Sequence, residues 1–334
     1  MTSANDRCCD EHVILDLDEN GDFLDPDTGA RVEPRYHRGF LEMQLDVPED
    51  ATDIVVFVHG WRNSRARAAA SGHQLFTMLE AARHDHPDRY PDIDSWSGHY
   101  VTVRWPSMSN PMPWGYRRIR DRAHAMTTEG HASEALAALL GYIDEARRLP
   151  GSPPVLQTAG GQYLHCVGHS FGGRFLVEAV QAAADSRPTT LSWNRSNPNY
   201  PYTLDTLLVF QMAASPAIFA DRVPRILSDA PINGPIVLTH STADRANGLW
   251  HWIAERHTGI GYKGVREPAG ELQWTALRPV DEVYDYKDFE ARIVNVNADR
   301  LYRRGRFLRV EGAHSDFWYP ESAHLLLSLA DLAR

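Results

Sequence analysis

The strongest constraint on the fold is a glycine-rich hexapeptide that lies between an apolar, strand-like segment and a helical pattern. Residues 168–173 read Gly-His-Ser-Phe-Gly-Gly, after the apolar stretch 163–167 and before the helical pattern 174–184. A serine in such a tight strand-to-helix turn takes strained backbone angles, and glycines beside it avoid collisions. The pattern therefore predicts that Ser170 stands at the end of a strand with its Oγ exposed, where the N-terminal amides of a helix can stabilise negative charge.

The rest of the chain alternates apolar runs with helical patterns. Because a strand buried on both faces needs a continuous apolar run, further strands are predicted at residues 53–58, 99–103, 204–210 and 236–239. Helical patterns occupy residues 65–83 and, with a break near 127–130, residues 116–148. This alternation predicts an α/β fold with a doubly wound, mostly parallel sheet and an active site at the carboxyl ends of its strands. We expect one domain over residues 51–334, after an N-terminal extension at 1–50.

Two interpretations of the N-terminal extension remain open. Asn20 and Gly21, between two short apolar runs, are typical of a β-hairpin turn. The same segment fits the ligand spacing of an EF-hand-like calcium loop, in which the ligand and glycine positions are taken by Asp16, Asp18, Asn20, Gly21 and Asp27. Pro26 inside the loop, and the extended sequence before it, favour the hairpin.

Candidate partners for Ser170 lie later in the chain. A serine needs a base to remove its proton, and the base needs a carboxylate that fixes its tautomer. Asp244 lies in the loop after the run 236–239, and His314 lies in a late, glycine-containing segment. Since triads whose serine lies in such a strand-to-helix turn use the chain order serine, acid, histidine, we predict that Ser170, Asp244 and His314 are the catalytic residues.

Other acidic and histidine side chains fit these roles less well. Asp205 begins a strand rather than ending one, and His240 lies too close to a strand end. His169 flanks the nucleophile but should point away from it. The remaining alternatives lie in surface-like or helix-like segments: Asp281, Asp285, His251, His257 and His324.

The oxyanion of an acyl-transfer reaction requires backbone donors beside the serine. The turn itself supplies the amide of Phe171. A second donor is expected from the loop after the run 53–58, which reads His59-Gly60-Trp61, because glycine lets the backbone approach closely. We therefore predict the amide of Trp61 as the second donor, with His59 and Gly60 beside the substrate.

Two segments are candidates to cover the site, near residues 108–130 and 245–290. The first contains the proline-rich, aromatic piece 111–116, and the second contains Trp250 and Trp252 soon after the proposed acid. Aromatic side chains there would suit an acyl chain or a hydrophobic alcohol and would exclude water. Packing of these tryptophans against the body of the domain is an equal alternative.

Composition narrows the class of ligand. The formal net charge of −10 argues against a nucleic-acid partner, and the basic cluster Arg117, Arg118, Arg120 and Arg122 is interpreted as the solvated face of a helix. The absence of a long apolar run predicts no transmembrane segment, and together with the polar N-terminus it indicates a cytoplasmic protein. Cys8, Cys9 and Cys166 do not suggest a structural disulfide. We expect no metal and no cofactor, because residues 84–86 and His99 lack ligand spacing.

Together these motifs resemble the α/β-hydrolase superfamily over roughly residues 50–334. The resemblance rests on His59-Gly60-Trp61, on Trp105-Pro106-Ser107 after the second predicted strand, on the serine turn, and on the segment 312–316, Gly-Ala-His-Ser-Asp. The Trp-Pro-Ser element, with Tyr116 and Asp121 downstream, is most similar to a bacterial branch of uncharacterised hydrolases, in which Met tends to follow the serine where this chain has Phe171.

The resemblance implies the fold, the triad, and hydrolysis of a small-molecule or lipid-like ester through an acyl-enzyme on Ser170. A thioesterase, an amidase or a lipid acyl hydrolase with the same triad is the alternative activity. A binding protein without turnover is a further alternative. The substrate and the oligomeric state do not follow from the resemblance.

Overall fold

The computed structural model describes residues 12–110, 112–149, 161–185, 191–193, 195, 200–228, 232–305 and 310–334. Cys8, Cys9 and Pro111, which enter the sequence analysis, lie outside the described residues.

A single nine-stranded sheet organises the described chain. Its strands are β1 (Val13–Leu17), β2 (Phe23–Leu24), β3 (Asp53–Val58), β4 (Gly98–Arg104), β5 (Tyr163–His169), β6 (Thr206–Phe210), β7 (Ile236–His240), β8 (Leu272–Ala276) and β9 (Ile293–Asn297). They are arranged in the order β2-β1-β4-β3-β5-β6-β7-β9-β8. Every neighbouring pair is parallel except β1 and β2. The mostly parallel sheet is therefore confirmed.

Nine α-helices connect or flank these strands in the described residues. They are α1 (His37–Gln44), α2 (Arg65–Asp85), α3 (Pro113–Thr128), α4 (Ala132–Ala146), α5 (Phe171–Asp185), α6 (Ile218–Asp221), α7 (His251–Glu255), α8 (Ile260–Lys263) and α9 (Pro320–Leu332). The predicted break in the long helical pattern is the junction of α3 and α4. None of these helices combines the length and the apolarity needed to cross a bilayer.

The two faces of the sheet carry separate cores, as alternation along β3 shows. Ile54, Val56 and Val58 pack into the core that contains Leu136 of α4 and Phe175 of α5. Val55 and Phe57 point the other way, into the core with Leu75 of α2 and Leu326 of α9. Because successive side chains of a strand face opposite sides, a fully apolar β3 requires helices on both faces.

Within the N-terminal extension, β1 and β2 form a hairpin that belongs to the same sheet. β1 pairs with β2 and also lies parallel to β4. In the turn, the Asp18 carboxylate accepts hydrogen bonds from the amides of Asn20 and Asp22, and Gly21 adopts a φ of 86°, which favours glycine. Asp16 is held by two hydrogen bonds from Arg104, at 2.7 and 2.6 Å. The described residues contain no group of three or more His, Cys, Asp or Glu that could hold a metal ion.

Two strands at one edge of the sheet are absent from the sequence prediction. β8 falls within the segment 245–290 that the sequence suggests as a cover for the site, yet it is the edge strand beside β9. Its side chains are mostly half-buried or exposed, and β9 contains the polar Asn295. Neither strand therefore has the continuous apolar run that marks the others.

Candidate active site

The turn between β5 and α5 has the strained geometry that the hexapeptide predicts. Ser170 has a φ of 57°, in the left-handed region that residues other than glycine rarely occupy. A Cβ at Gly172 would lie 2.1 Å from the carbonyl oxygen of Val58, and one at Gly173 would lie 1.9 Å from Cγ1 of Val209. Glycine at these two positions lets α5 start directly against β3 and β6.

Ser170, His314 and Asp244 form one hydrogen-bonded chain. His314 Nε2 lies 2.7 Å from Ser170 Oγ, and His314 Nδ1 lies 2.9 Å from Asp244 Oδ2. When Nδ1 donates its proton to the carboxylate, Nε2 keeps the lone pair that can accept the serine proton. The structure thus brings the three predicted catalytic residues into contact with the orientation that nucleophilic catalysis requires.

Amide side chains orient the carboxylate. Oδ1 of Asp244 accepts a hydrogen bond from the backbone amide of Asn247 at 2.9 Å. Oδ2 accepts from Asn247 Nδ2 at 2.7 Å and from Gln211 Nε2 at 3.2 Å. Gln211 Nε2 also donates to the carbonyl oxygen of Ala313, at 2.9 Å. These contacts link the end of β6 to both the acid loop and the histidine loop, and so fix the direction of the carboxylate.

A short antiparallel bridge holds the acid loop against the histidine loop. Asp244 pairs with Gly312, and the amide of Ala313 donates to the carbonyl oxygen of Ala243 at 3.0 Å. Gly312 has a φ of 65°, and a Cβ there would lie 2.4 Å from that same carbonyl oxygen. Glycine is therefore needed for the bridge that places His314.

Two further histidines near the site, His169 and His59, are buried and form hydrogen bonds with backbone groups. His169 contacts the carbonyl oxygen of His314 through Nε2, at 2.8 Å, and so faces away from the Ser170 hydroxyl as expected. Burial, followed by the charge of His314, lowers the pKa of His169 to about 3. Burial also lowers the pKa of His59 to about 4. Its ring is stacked on Trp105 and accepts a hydrogen bond from the Trp105 amide.

The loop after β3 passes directly beside the serine. A Cβ at Gly60 would lie 2.8 Å from Cβ of Ser170, so this approach requires glycine. Within the described residues, the amides of Trp61 and Phe171 donate no hydrogen bond to another group. Two unused backbone donors next to a nucleophile are the arrangement that an oxyanion hole needs.

The prediction that the Ser170 hydroxyl is exposed is wrong, because the residue is fully buried. Tyr116 of α3 packs against the rings of Trp61, Phe171 and His251, at 5.2, 5.7 and 6.3 Å. His251 belongs to α7, which follows the π-helical turn Ala246–Trp250. Segments from both predicted covering regions therefore meet at Tyr116, which contacts Phe171, the residue after the serine.

The basic cluster of α3 is not simply a solvated face, because two of its arginines bind α7. Arg117 donates to the carbonyl oxygen of Ile253 at 3.1 Å, and Arg120 donates to that of Ala254 at 2.9 Å. Cations at the carboxyl end of a short helix satisfy its free carbonyl groups. Arg122 instead binds the carbonyl oxygen of Pro106, at 2.8 Å.

A cavity of about 420 Å³ adjoins Phe171. None of the four predicted substrate residues His59, Gly60, Trp250 and Trp252 lines it. Trp250 packs against the main core, whereas the Trp252 side chain is 54% exposed. The lining instead includes four residues that the sequence prediction missed: His124, Arg174, Arg222 and Glu255. Arg174 could have been found from its helical spacing of four residues after Ser170. No local sequence pattern marks His124, Arg222 or Glu255.

Comparisons with known proteins add little to this geometry. No protein-family model matches the chain, and no curated protein matches it. Among solved structures, it is similar to a dienelactone hydrolase from Anabaena variabilis, with 14% identity, a TM-score of 0.35 and coverage of 86% of this chain and 87% of that one. A metagenomic carboxyl esterase is 12% identical, with a TM-score of 0.28 and coverage of 92% and 79%. A lipase-esterase related protein from Clostridium acetobutylicum is 9% identical, with a TM-score of 0.26 and coverage of 86% and 94%. Likenesses at this level indicate no activity.

The architecture rests on the chain's own geometry. β4, β3, β5, β6, β7 and β9 are parallel neighbours in that order. The strained serine follows the central strand β5, the acid follows β7, and the histidine follows β9. A sheet with these connections and a serine at the strand-to-helix turn has the α/β-hydrolase fold.

Proposed function

We propose that this protein is a serine hydrolase that cleaves carboxylic esters. The observation that carries the proposal is the hydrogen-bonded chain from the Ser170 hydroxyl through His314 to Asp244, on a turn in which Ser170 has a left-handed φ of 57°. Strained backbone at a reactive side chain is typical of functional sites. The unused amides of Trp61 and Phe171 support an acyl-transfer reaction in particular.

The reaction proceeds in two stages. His314 Nε2 accepts the proton of Ser170 Oγ as the oxygen attacks the ester carbonyl, and Asp244 stabilises the imidazolium that forms. The amides of Trp61 and Phe171 donate to the tetrahedral oxyanion, and His314 returns its proton to the departing alcohol. In the second stage, His314 removes a proton from water, which attacks the acyl-enzyme; the ester bond to Ser170 breaks, the acid is released, and His314 returns the proton to Ser170 Oγ.

The test combines a panel of 4-nitrophenyl esters of increasing chain length with a fluorophosphonate probe, which labels activated serine hydroxyls. Wild type is expected to hydrolyse at least one ester and to be labelled, whereas Ser170→Ala should lose both properties and retain its melting temperature. Ser192→Ala is the matched control, because Ser192 also has a positive φ but lies outside the triad. Labelling that persists in Ser170→Ala would contradict the proposal.

The same panel separates the neighbouring activities. A thioester and an amide with the same acyl group compare thioesterase and amidase turnover with ester hydrolysis. An unlabelled wild type with no turnover on any of these substrates would favour a binding protein.

A further inference from the structure

The cavity beside α5 holds a pair of arginines that share one counter-charge. Arg174 lies in the first turn of α5 and is only 8% exposed, and Arg222 follows α6. The Nε atoms of both side chains contact the carboxylate of Glu178, at 3.0 and 2.6 Å. Two positive charges that line the cavity therefore share one negative charge.

His124 of α3 lies between the same two arginines. Its Nδ1 is 3.1 Å from Nη2 of Arg174 and 3.3 Å from Nη1 of Arg222. Because guanidinium groups only donate hydrogen bonds, Nδ1 must be the acceptor nitrogen of a neutral imidazole. Burial, followed by the charges of the two arginines, lowers the pKa of His124, which favours this neutral form.

The other acidic residues of the cavity lie toward its rim. Asp121 and Asp221 are exposed, and the Glu255 side chain is 36% exposed. Asp121 and Glu255 both contact Arg120. The Arg174 side chain is only 10% exposed, so water and salt screen its charge less than those of Asp121 and Asp221, whereas Arg222 is 34% exposed, similar to Glu255. Arg174, Arg222 and Glu178 together carry one net positive charge.

We propose that this cavity binds an anionic oxygen group of the substrate, such as a carboxylate, a few atoms from the scissile carbonyl. The inference rests on the proposed function of Ser170 and names the class of ester that it attacks. Arg174 is four residues after Ser170, about 6 Å of backbone rise at helical spacing, and Phe171, which follows Ser170 directly, lines the same cavity. Guanidinium groups bind carboxylates through paired, charge-assisted hydrogen bonds.

The experiment compares two esters that differ in one charge. The ratio of kcat/KM for 4-nitrophenyl hemiglutarate to that for 4-nitrophenyl butyrate is measured in wild type and in Arg222→Gln. Wild type should favour the anionic ester, and the variant should lower the ratio by about tenfold to a hundredfold, the usual range for a lost charge-assisted hydrogen bond. Arg222→Lys should restore part of the ratio because it restores the charge.

Arg225→Gln is the matched control, since Arg225 lies close by in the chain but pairs with Asp185 outside the cavity. It should leave the ratio unchanged. A second substrate pair, 4-acetoxybenzoate and phenyl acetate, places the anion on the alcohol side. A preference for the anionic ester in either pair that Arg222→Gln removes supports the inference and tells which side of the ester enters the cavity. The absence of a preference in both pairs overturns it.

A binding measurement separates this inference from the proposed function. Calorimetric titration of Ser170→Ala with 4-nitrophenyl hemiglutarate requires no hydrolysis. Binding that disappears in the double variant Ser170→Ala/Arg222→Gln supports the anion site even if wild type proves inactive on every ester. Equal binding to both proteins contradicts the anion site, whatever the serine does.

Discussion

The sheet buries two histidine–aspartate pairs, one at each end of its parallel strands. At the carboxyl end, His314 joins Asp244 to the hydroxyl of Ser170, at 2.9 and 2.7 Å. At the amino end, His165 joins Asp53 to the hydroxyl of Thr206, at 2.8 and 2.9 Å. Each histidine thus connects a buried carboxylate with a hydroxyl group. A triad of suitable residue types is therefore not enough to define a catalytic site.

Charge is the first difference between the two clusters. Asp53 receives two hydrogen bonds from Arg334, both at 2.8 Å, so its negative charge is already compensated. In the described residues, no lysine or arginine side chain contacts Asp244, whose other donors are the neutral Asn247 and Gln211. The charge of Asp244 remains available to stabilise an imidazolium that forms during a reaction.

Backbone geometry is the second difference. Thr206 is part of a regular parallel ladder, directly opposite His165. Ser170 is held in the left-handed region, beside two amides without partners. The amino-end cluster therefore lacks both the projecting nucleophile and the oxyanion donors.

Hydrogen-bond satisfaction is the third difference. Each side-chain nitrogen and oxygen of Asp53, His165 and Thr206 has a partner. Near the proposed triad, Gln211 Oε1, Asn247 Oδ1 and the Tyr116 hydroxyl are buried without partners in the described residues. Since unpaired buried polar atoms cost stability, the amino-end cluster is built for stability and the carboxyl-end cluster is not.

Replacing the two histidines should give the largest contrast. His314→Gln is expected to lower kcat by roughly 10⁴-fold or more, because glutamine cannot act as a base, and to leave the fold intact. His165→Gln should keep turnover and lower the free energy of unfolding by about 3 kcal/mol, because its buried hydrogen bonds to the Asp53 carboxylate and to Thr206 are lost. Ester hydrolysis and urea unfolding measure the two effects. Comparable loss of turnover in both folded variants would remove the distinction.

Replacing the two carboxylates, Asp244 and Asp53, should give the same contrast between loss of turnover and loss of stability, but a smaller loss of turnover than the histidine variants give. Asp244→Asn is expected to reduce turnover by about 10²- to 10⁴-fold, because the amide favours the wrong histidine tautomer. Asp53→Asn leaves Arg334 without its counter-charge and should lower the melting temperature with little change in kcat. Steady-state kinetics alongside thermal melts test both variants. A large rate loss in Asp53→Asn at full folding would place the amino-end cluster in the reaction.

Acid stability gives a smaller effect that belongs to the amino-end cluster alone. Burial opposes the ionisation of Asp53, but His165 and Arg334 outweigh it and hold the pKa of this carboxyl below its usual value. A lowered folded-state pKa stabilises the protein above the unfolded pKa of about 4 and loses that effect as the pH falls through the folded pKa. Arg334→Gln raises the folded pKa, so its melting temperature should begin to fall at a higher pH than that of wild type.

Melting curves between about pH 2.5 and 7 would measure this shift. Arg225→Gln is the control, because its ion pair with Asp185 is about half exposed on both sides and such pairs contribute little. Its profile should follow that of wild type. If Arg334→Gln also follows wild type, Arg334 does not compensate Asp53.

The features of the two clusters differ in how directly the sequence predicts them. The serine turn and the central strands are local patterns of glycines and apolar runs, and the sequence predicts them directly. The loop of Asp244 follows from where such a run ends, and the segment of His314 is marked by its glycine and its late position in the chain. The pairing of His165 with Asp53 and the contact of Arg174 with Arg222 through Glu178 join residues far apart in the chain, and only the packing of whole elements brings them together. The burial of Ser170 depends in the same way on how α3 and α7 meet.

The smallest effect we expect is a gain in stability at the carboxyl end. Tyr116 is fully buried, and its hydroxyl has no partner in the described residues. Tyr116→Phe removes only this oxygen and should raise the melting temperature by about 2–4 °C, which corresponds to about 1 kcal/mol for a large domain. Tyr302→Phe is the matched control, because Tyr302 is equally buried but its hydroxyl lies 2.7 Å from Ser322 Oγ. That change leaves the Ser322 hydroxyl without this hydrogen-bond partner and should lower the melting temperature. If both variants are destabilised alike, the Tyr116 hydroxyl has a partner after all, and the two ends of the sheet are equally well satisfied.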